Sequence, residues 1–411
     1  MTDTQKNAVL FVPFWRQGSH VGNHRMDRFA RWLADDDYNV IMVCAGASYG
    51  ERQQAWGLEI TVQDPLNSFR NTSPWVTDYA PPRKPNKLRA AVVEWVFNPD
   101  HTILWARKAA KHPSVVQATR DAAFILSSSP FESAHVGAWF LSRRTGIPHI
   151  VDMRDGWLDE PLHPLLRTSA LRRWREGRLE ARILRDAKAI QVTSEVWKTL
   201  LCDRYPAYAS KVHVLTNGYP QSPPALQPKA PRGPRDEIVL IHAGCFTNSH
   251  QQRTPDLLLE PLLRNLSGAA SCGVVQLIGP LSNDDHAIIE ALKSRFAAIG
   301  WRIECPGSLP RSEVLALLPK ADGLLLLSAS RAALPSKLFE YIPTGRPMFV
   351  STYKDSATWS VCASLPQVTL VDPSKPDLDH QKTFYAKPEF RIPPEFSERS
   401  LAQTFKNTID L

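Results

Sequence analysis

Pro335, Ser336, Lys337 and Glu340 have the types and spacing to hold a phosphate together with the hydroxyls of an attached sugar. They lie in Leu334-Pro335-Ser336-Lys337-Leu338-Phe339-Glu340-Tyr341-Ile342-Pro343-Thr344-Gly345-Arg346-Pro347. Pro335 and Ser336 suit a helix start and Gly345 its stop, which predicts a helix of about two turns. Free backbone N–H groups and the dipole at such an N-terminus favour an anion, and Lys337 adds a full positive charge. Glu340, one turn after Ser336, can accept hydrogen bonds from sugar hydroxyls. The same residues also fit a capped crossover helix with solvated charges, and spacing alone does not choose between the two.

The elements that must position these residues are apolar. Gly323-Leu324-Leu325-Leu326-Leu327 before the block and Met348-Phe349-Val350 after it read as buried parallel strands. Strands and helices alternate through the rest of the chain, which predicts an α/β fold with parallel sheets.

Ser336-Lys337-Leu338-Phe339-Glu340-Tyr341 resembles the signature of GT-B glycosyltransferases of family 4, in the branch that builds bacterial surface polysaccharides. The resemblance covers nearly the whole chain, but only residues 335–347 are specific. It implies two Rossmann-like domains facing a cleft, with Pro335, Ser336, Leu338 and Glu340 in the donor site and Glu340 on the ribose. Many members carry a second Glu eight residues before the first, where this chain has Ala332. The family also places a cation after a strand-ending glycine to bind the diphosphate, commonly Arg with Lys five residues on. Here the glycine is Gly244, the cation Arg253 and the later position Leu258, which leaves Lys337 to supply the missing charge. Ser308 and Leu309, after the strand Trp301–Gly307, are implied to touch the nucleotide base.

In the N-terminal half, the strand Ala8–Val12 leads through a loop with Gly18 and Gly22 to a helix over Met26–Leu33. This G-x-x-x-G is not a dinucleotide fingerprint, and only the resemblance implies that it faces the cleft. After the strand Ala123–Leu126, His135 falls near a helix start at the C-terminal edge of a sheet, where ligands bind. A lone histidine is more often structural, but the Ser-Ser-Pro…Ser-Ala-His pattern matches the family's donor-sugar histidine. Asp152-Met153-Arg154-Asp155-Gly156-Trp157 resembles the family's Asp-Phe-Arg-Asp-Pro-Trp, with Gly156 predicting a looser loop. Arg154 and Asp155 form an ion pair or line the acceptor side. Asp35-Asp36-Asp37 reads as a solvated turn rather than a Mg²⁺ site, and Asp284-Asp285 as a helix N-cap.

Two stretches are basic. Arg83, Lys84, Lys87 and Arg89 stand near Trp95, Phe97 and Trp105, and the predicted helix Leu171–Ala187 carries Arg172, Arg173, Arg175, Arg178, Arg182 and Arg185, mostly projecting outward. Both fit either an anionic membrane surface or a solvated face with aromatics in the core. Phe97, Pro99, Asp100 and Trp105 match a family passage.

The 411 residues suit two domains, and 43% hydrophobic with 22% charged residues is ordinary for a soluble enzyme. A net charge of +8 points to an anionic partner. Six cysteines without a C-x-x-C pair suggest neither disulfides nor zinc. With no long apolar run and no signal-like start, the expected location is the cytoplasm, with the inner membrane face as the peripheral alternative. The expected organisation is an acceptor domain over 1–219, a proline-rich linker over 220–235, a nucleotide-sugar domain over 236–390, and a helix in 391–411 returning to the first domain.

These readings converge on a retaining, metal-independent hexosyltransferase-like enzyme without cofactors. It would move a sugar from a nucleoside-diphosphate-sugar to a glycan or lipid-linked acceptor. Arg253 and Lys337 would hold the phosphates, Glu340 the ribose and His135 the sugar. Rival readings are a GT-B sugar-nucleotide epimerase and a non-catalytic binding module, the latter favoured by Ala332. Nucleic acid is not an expected partner, because the basic residues fit no reading motif.

Overall fold

The computed structural model describes residues 6–14, 21–66, 97–159, 169–219, 237–247, 253–267, 272–375, 385 and 389–410. Gly18, the basic residues at 83–89, Trp95 and the linker expected at 220–235 lie outside them. The chain forms two compact units, residues 1–215 with 402–411, and residues 216–401.

The first unit holds an eight-stranded sheet in the order β3-β4-β2-β1-β5-β6-β7-β8. Its strands are β1 (Lys6–Phe11), β2 (Tyr38–Gly46), β3 (Gly50–Gln54), β4 (Gly57–Gln63), β5 (Ala122–Ser128), β6 (His149–Met153), β7 (Ala189–Val192) and β8 (Val212–Val214). Its helices are α1 (Val21–Asp35), α2 (Ile103–Ala109), α3 (Pro113–Thr119), α4 (Ser133–Thr145), α5 (Ala170–Asp186) and α6 (Glu195–Arg204). All pairings are parallel except the β3–β4 edge hairpin.

The second unit holds a six-stranded parallel sheet in the order β11-β10-β9-β12-β13-β14. Its strands are β9 (Ile238–Ala243), β10 (Gly273–Ile278), β11 (Trp301–Gly307), β12 (Gly323–Ser328), β13 (Met348–Thr352) and β14 (Val368–Val371). Between them lie α7 (Asp256–Ser267), α8 (Asn283–Ala297), α9 (Arg311–Leu317), α10 (Leu338–Tyr341) and α11 (Ala357–Cys362). Every residue of β12 and β13 is buried, as the apolar runs Leu324–Leu327 and Met348–Val350 require of strands covered on both faces. Leu259, Leu262 and Leu266 of α7 join Leu325, Leu327 and Phe349 in one core. The last helix, α12 (Glu398–Ile409), contributes its residues from 402 onward to the first unit, where Phe405 stacks on Phe29 at 4.5 Å.

Several local expectations change. Gly22 lies in the first turn of α1 rather than in a loop. Ser282, not the aspartate pair, is the N-cap of α8, and Asp285 completes a capping box with it. Asp37 turns the chain with φ of 61°, and Asp36 pairs with Lys406. Trp105 is fully buried against Phe11, so it belongs to the core and not to a membrane face.

Arg172 is 2% exposed and turns inward, unlike the other α5 arginines. It pairs with Glu176 and donates to the carbonyls of Phe97 and Pro99. Glu176 in turn accepts from Trp157 Nε1 at 2.7 Å and Asn98 Nδ2 at 3.2 Å. Asp100 accepts the Thr102 and Ser133 backbone N–H groups at 2.7 and 2.8 Å. Phe97–Asp100 is therefore a buried polar knot that ties α5 to the start of α4.

Gly156, expected to loosen its loop, packs on Trp197 instead: a Cβ there would stand 2.0 Å from the indole ring. A larger side chain would force the ring away.

Candidate functional site

In the second unit the strand order places β9 beside β12, with the chain leaving β9 toward β10 and leaving β12 toward β13 on the other side. Ligands of open parallel sheets bind outside the C-terminal strand ends at such a switch point. Gly244 ends β9 there with φ of +133°, a conformation that L side chains rarely adopt. The Lys337 ammonium lies directly over it, 1.3 Å from where a Cβ would stand. A glycine is needed here both for the backbone and for the close approach of the cation.

Arg253 reaches the end of the neighbouring strand, where Nη2 donates to the Leu327 carbonyl at 2.6 Å. Burial lowers its pKa. Burial and the nearby Arg253 charge bring Lys337 down to about 8. Two cations held this close repel each other, and a diphosphate would relieve that repulsion while accepting charge-assisted hydrogen bonds.

His242 lies beneath them in β9, with Nδ1 donating to the Leu325 carbonyl at 3.0 Å and its ring stacked on Phe246. Burial, reinforced by Lys337 and Arg253, lowers its pKa to about 3. The imidazole therefore stays neutral and adds no third positive charge. The Tyr341 hydroxyl accepts the Ala243 N–H at 2.9 Å and anchors the strand end to the motif.

The motif helix is shorter than its sequence predicts. α10 has four residues and continues as a 3₁₀ turn, Ile342–Thr344, stopped by Gly345 at φ of 63°. The first turn is closed by backbone bonds to the carbonyls of Pro335, Ser336 and Lys337. So short a helix has little dipole, and the positive end here is carried by the Lys337 side chain. Leu338, Phe339 and Tyr341 are buried and fix the turn, whereas Pro335, Ser336, Lys337 and Glu340 are half-buried. The Glu340 carboxylate accepts from Arg311 Nη2 at 2.5 Å. Arg311 starts the helix after Ser308 and Leu309, so this pair links the base-side loop to the motif. Ser308 is exposed and Leu309 half-buried.

Leu258 is a core residue of α7, and Ala332 is fully buried. A glutamate at position 332 would bring a charge into a place packed around a methyl group.

The first unit assembles a separate polar cluster from the end of β5, from β6 and from the first turn of α4. Ser127 Oγ lies 2.7 Å from both His135 Nδ1 and His149 Nε2. A hydroxyl donates once, so it gives its proton to one ring and accepts from the other. His135 is 1% exposed, and burial holds it at about 4 and His149 at about 3. The outer nitrogens, His135 Nε2 and His149 Nδ1, are buried without a hydrogen-bond partner.

Beside them Asp152 takes a bidentate pair from Arg25, at 2.9 and 2.7 Å, and the Ser128 hydroxyl at 2.7 Å. Arg154 and Asp155 pair with each other at 3.1 Å and remain partly exposed. Glu132, half-buried at the start of α4, is raised to about 8 by burial and the Asp100 charge. It is a carboxyl that holds its proton at neutral pH.

These histidines carry a pH signature. A folded pKa below the ordinary 6.5 means that the unfolded chain binds the extra protons. Their contribution to stability is present above about pH 6.5 and lost as pH falls towards 4. Among the 12 histidines, the imidazole resonances of His135, His149 and His242 should stay in their neutral positions from pH 8 to pH 5. Midpoints between 6 and 7 for all three would contradict their burial as neutral rings.

The structure thus brings together Gly244, Arg253 and Lys337, with Glu340, Ser308 and Leu309 joined through Arg311. His135, Arg154 and Asp155 gather in the other unit. Among the described residues no group of three or more His, Cys, Asp or Glu side chains is arranged to hold a metal ion. Several participants escaped the sequence reading, among them His242, which sits in an apolar strand run, Tyr341, Arg311, His149 and Arg25, which precedes the expected helix Met26–Leu33. Only the proximity of His242 to the strand-ending Gly244 offered a signal.

Solved glycosyltransferases share this fold. HepE of Anabaena in complex with UDP is 13% identical, with a TM-score of 0.58 over 98% of this chain and 99% of that one. The lipopolysaccharide outer core galactosyltransferase WaaB, apo form, is also 13% identical, with a TM-score of 0.56 over the same shares. A glycosyltransferase from Rickettsia africae is 12% identical at a TM-score of 0.53, over 99% of this chain and 94% of that one.

The fold is GT-B. Within it, residues 22–218 match the family model of the glycosyl transferase 4-like domain, a segment that ends three residues beyond the boundary of the first unit. No curated protein matches the sequence. Among the described residues no helix is long and apolar enough to cross a membrane. In GT-B terms, the cationic strand end of Gly244, Arg253 and Lys337 belongs to the C-terminal Rossmann-like domain, and the match to the family model falls on the N-terminal one.

Proposed function

We propose that this protein is a glycosyltransferase that takes a sugar from a nucleoside-diphosphate-sugar and transfers it with retention, without a metal ion, to a glycan or lipid-linked acceptor. The observation that carries this reading is the Lys337 ammonium seated over Gly244 beside Arg253. Stabilising a departing diphosphate is the main chemical demand of the reaction, and preorganised cations meet it without reorganisation. Glu340 serves the ribose hydroxyls, and the buried Nε2 of His135, which has no partner, serves a donor-sugar hydroxyl. Arg154 and Asp155 serve the acceptor side, and the protein works at an anionic membrane surface on the cytoplasmic side.

Because Lys337 stands at about 8 before the anion arrives, donor binding should tighten as pH falls through 8 and weaken above it. The test is transfer from a panel of nucleotide sugars in excess chelator. UDP-glucose comes first because HepE has been solved with UDP and glucose. The expected product keeps the anomeric configuration of the donor. Isomerised donor without an acceptor would indicate an epimerase instead. Absence of transfer and hydrolysis with a donor that demonstrably binds would favour the non-catalytic reading suggested by Ala332.

Glu340→Gln replaces a two-oxygen anionic acceptor by one carbonyl oxygen and an amide. We expect the donor KM to rise several-fold and kcat to fall with it, since ribose and phosphate share one short segment. Arg311→Ala breaks the same ion pair but keeps the carboxylate, so it should change KM less. Equal effects would mean that the pair, and not ribose contact, is what matters.

A further inference from the structure

Helices α2, α4 and α5 enclose a groove of about 320 Å³ in the first unit, inside the range of about 300–1,000 Å³ in which small ligands are held. Its walls carry four arginines, Arg107 of α2 and Arg175, Arg178 and Arg182 of α5, with Phe140 and Trp174 between them. None of the residues lining it is acidic. Of the helix's other three arginines, Arg172 is turned inward onto Glu176 and Arg185 is paired with Asp186, while Arg173 is exposed but does not line the groove. The four groove arginines form no ion pair among the described residues, and Arg178 only stacks over the Trp174 ring at 4.7 Å.

The apolar residues around them are unusual for a soluble surface. Trp174 and Leu171 are each 55% exposed and Phe140 41%, and Leu104 of α2 adds a further exposed side chain. Leu171, Arg175, Arg178 and Arg182 fall at i, i+4, i+7 and i+11, one stripe of α5. The stripe therefore begins apolar and becomes cationic along its length.

We infer that this groove is a binding site for the phosphate headgroup of an anionic membrane lipid. Guanidinium groups bind phosphate oxygens through paired N–H donors, and a half-exposed indole is suited to the boundary between headgroups and acyl chains. A free anion would use the arginines but leave Trp174, Leu171 and Phe140 facing water, so the charge and apolar patterns together favour a lipid. The inference rests on the membrane location proposed above and names the residues that would meet the headgroup; it uses the first unit alone and would survive failure of the donor site.

The test is co-sedimentation of the full chain with vesicles of phosphatidylglycerol and phosphatidylcholine, and with phosphatidylcholine only. Wild type should bind the anionic vesicles and release as salt is raised. Each arginine near an anionic surface contributes about fivefold to binding, so Arg175→Ser, Arg178→Ser and Arg182→Ser combined should weaken it on the order of a hundredfold. The charge-matched control replaces Lys111, Arg120 and Arg144, exposed basic residues that do not line the groove, and should lose far less. Circular dichroism of both variants establishes that they are folded.

A second readout needs no charge change. Brominated lipid should quench a component of wild-type fluorescence that is missing in Trp174→Phe. Equal losses in the groove and control variants, or no quenching difference at Trp174, would overturn the inference. So would groove-dependent binding of a single-stranded oligonucleotide in place of vesicles.

Discussion

Lys337→Ala is expected to lower kcat/KM for sugar transfer by about ten- to a hundredfold, because a charge-assisted hydrogen bond to phosphate is worth roughly 1.5–3 kcal/mol. Gly244→Ala should be worse. Its Cβ would occupy the space of the Lys337 ammonium, and its backbone would have to hold φ of +133° with a side chain attached. The cation is displaced, and backbone strain of about 1–3 kcal/mol is added. The two variants should part in stability. Removing Lys337 relieves its repulsion with Arg253, so the thermal midpoint of Lys337→Ala should hold or rise while Gly244→Ala falls. A gain in stability with a loss of activity is the signature of a group held for a ligand. Wild-type donor affinity in both variants would contradict the assignment.

The largest expected stability effect lies in the other unit. Asp152 is fully buried and takes both Arg25 nitrogens together with the Ser128 hydroxyl. Asp152→Asn removes the buried carboxylate charge that faces the Arg25 guanidinium, a loss of about 3–5 kcal/mol. For a unit of this size the thermal midpoint should drop by roughly 6–20 °C. Arg154→Ala, two residues along the chain, breaks a pair that is partly exposed and should cost under about 1 kcal/mol. Scanning calorimetry of both variants checks the contrast. Similar small shifts would mean that Arg25 finds another partner.

Much of the architecture was legible because its strands are apolar runs of the kind that parallel sheets bury on both faces, as in Gly323–Ser328 and Met348–Thr352. The β3–β4 hairpin was missed. Gly50–Gln54 is mostly polar and pairs at a sheet edge, where burial leaves no apolar pattern to read. The cationic site was legible in part. Lys337 came from the motif's own residues and Arg253 from the resemblance, but their relation to Gly244 depends on a positive φ and on the end of a strand 93 residues away from Lys337 in sequence. His242 and Tyr341 were hidden for the same reason: their roles come from what the fold stacks above and beneath them. Arg172, expected among outward-facing arginines, and Arg25, on which the sequence is silent, show that charge does not by itself mean exposure. Each occupies an otherwise ordinary helical position and is buried because a carboxylate four or 127 residues distant is buried with it.

The most direct test of the central claim is a calorimetric titration of the wild-type protein with UDP and the other nucleoside diphosphates, in chelator, at pH 7 and pH 9. The account predicts one saturable site for at least one of them, weaker at pH 9 because Lys337 has lost its proton, and weakened further in Lys337→Ala, where the pH difference also disappears. Binding that ignores both pH and Lys337, or no binding by any member of the series, would contradict it.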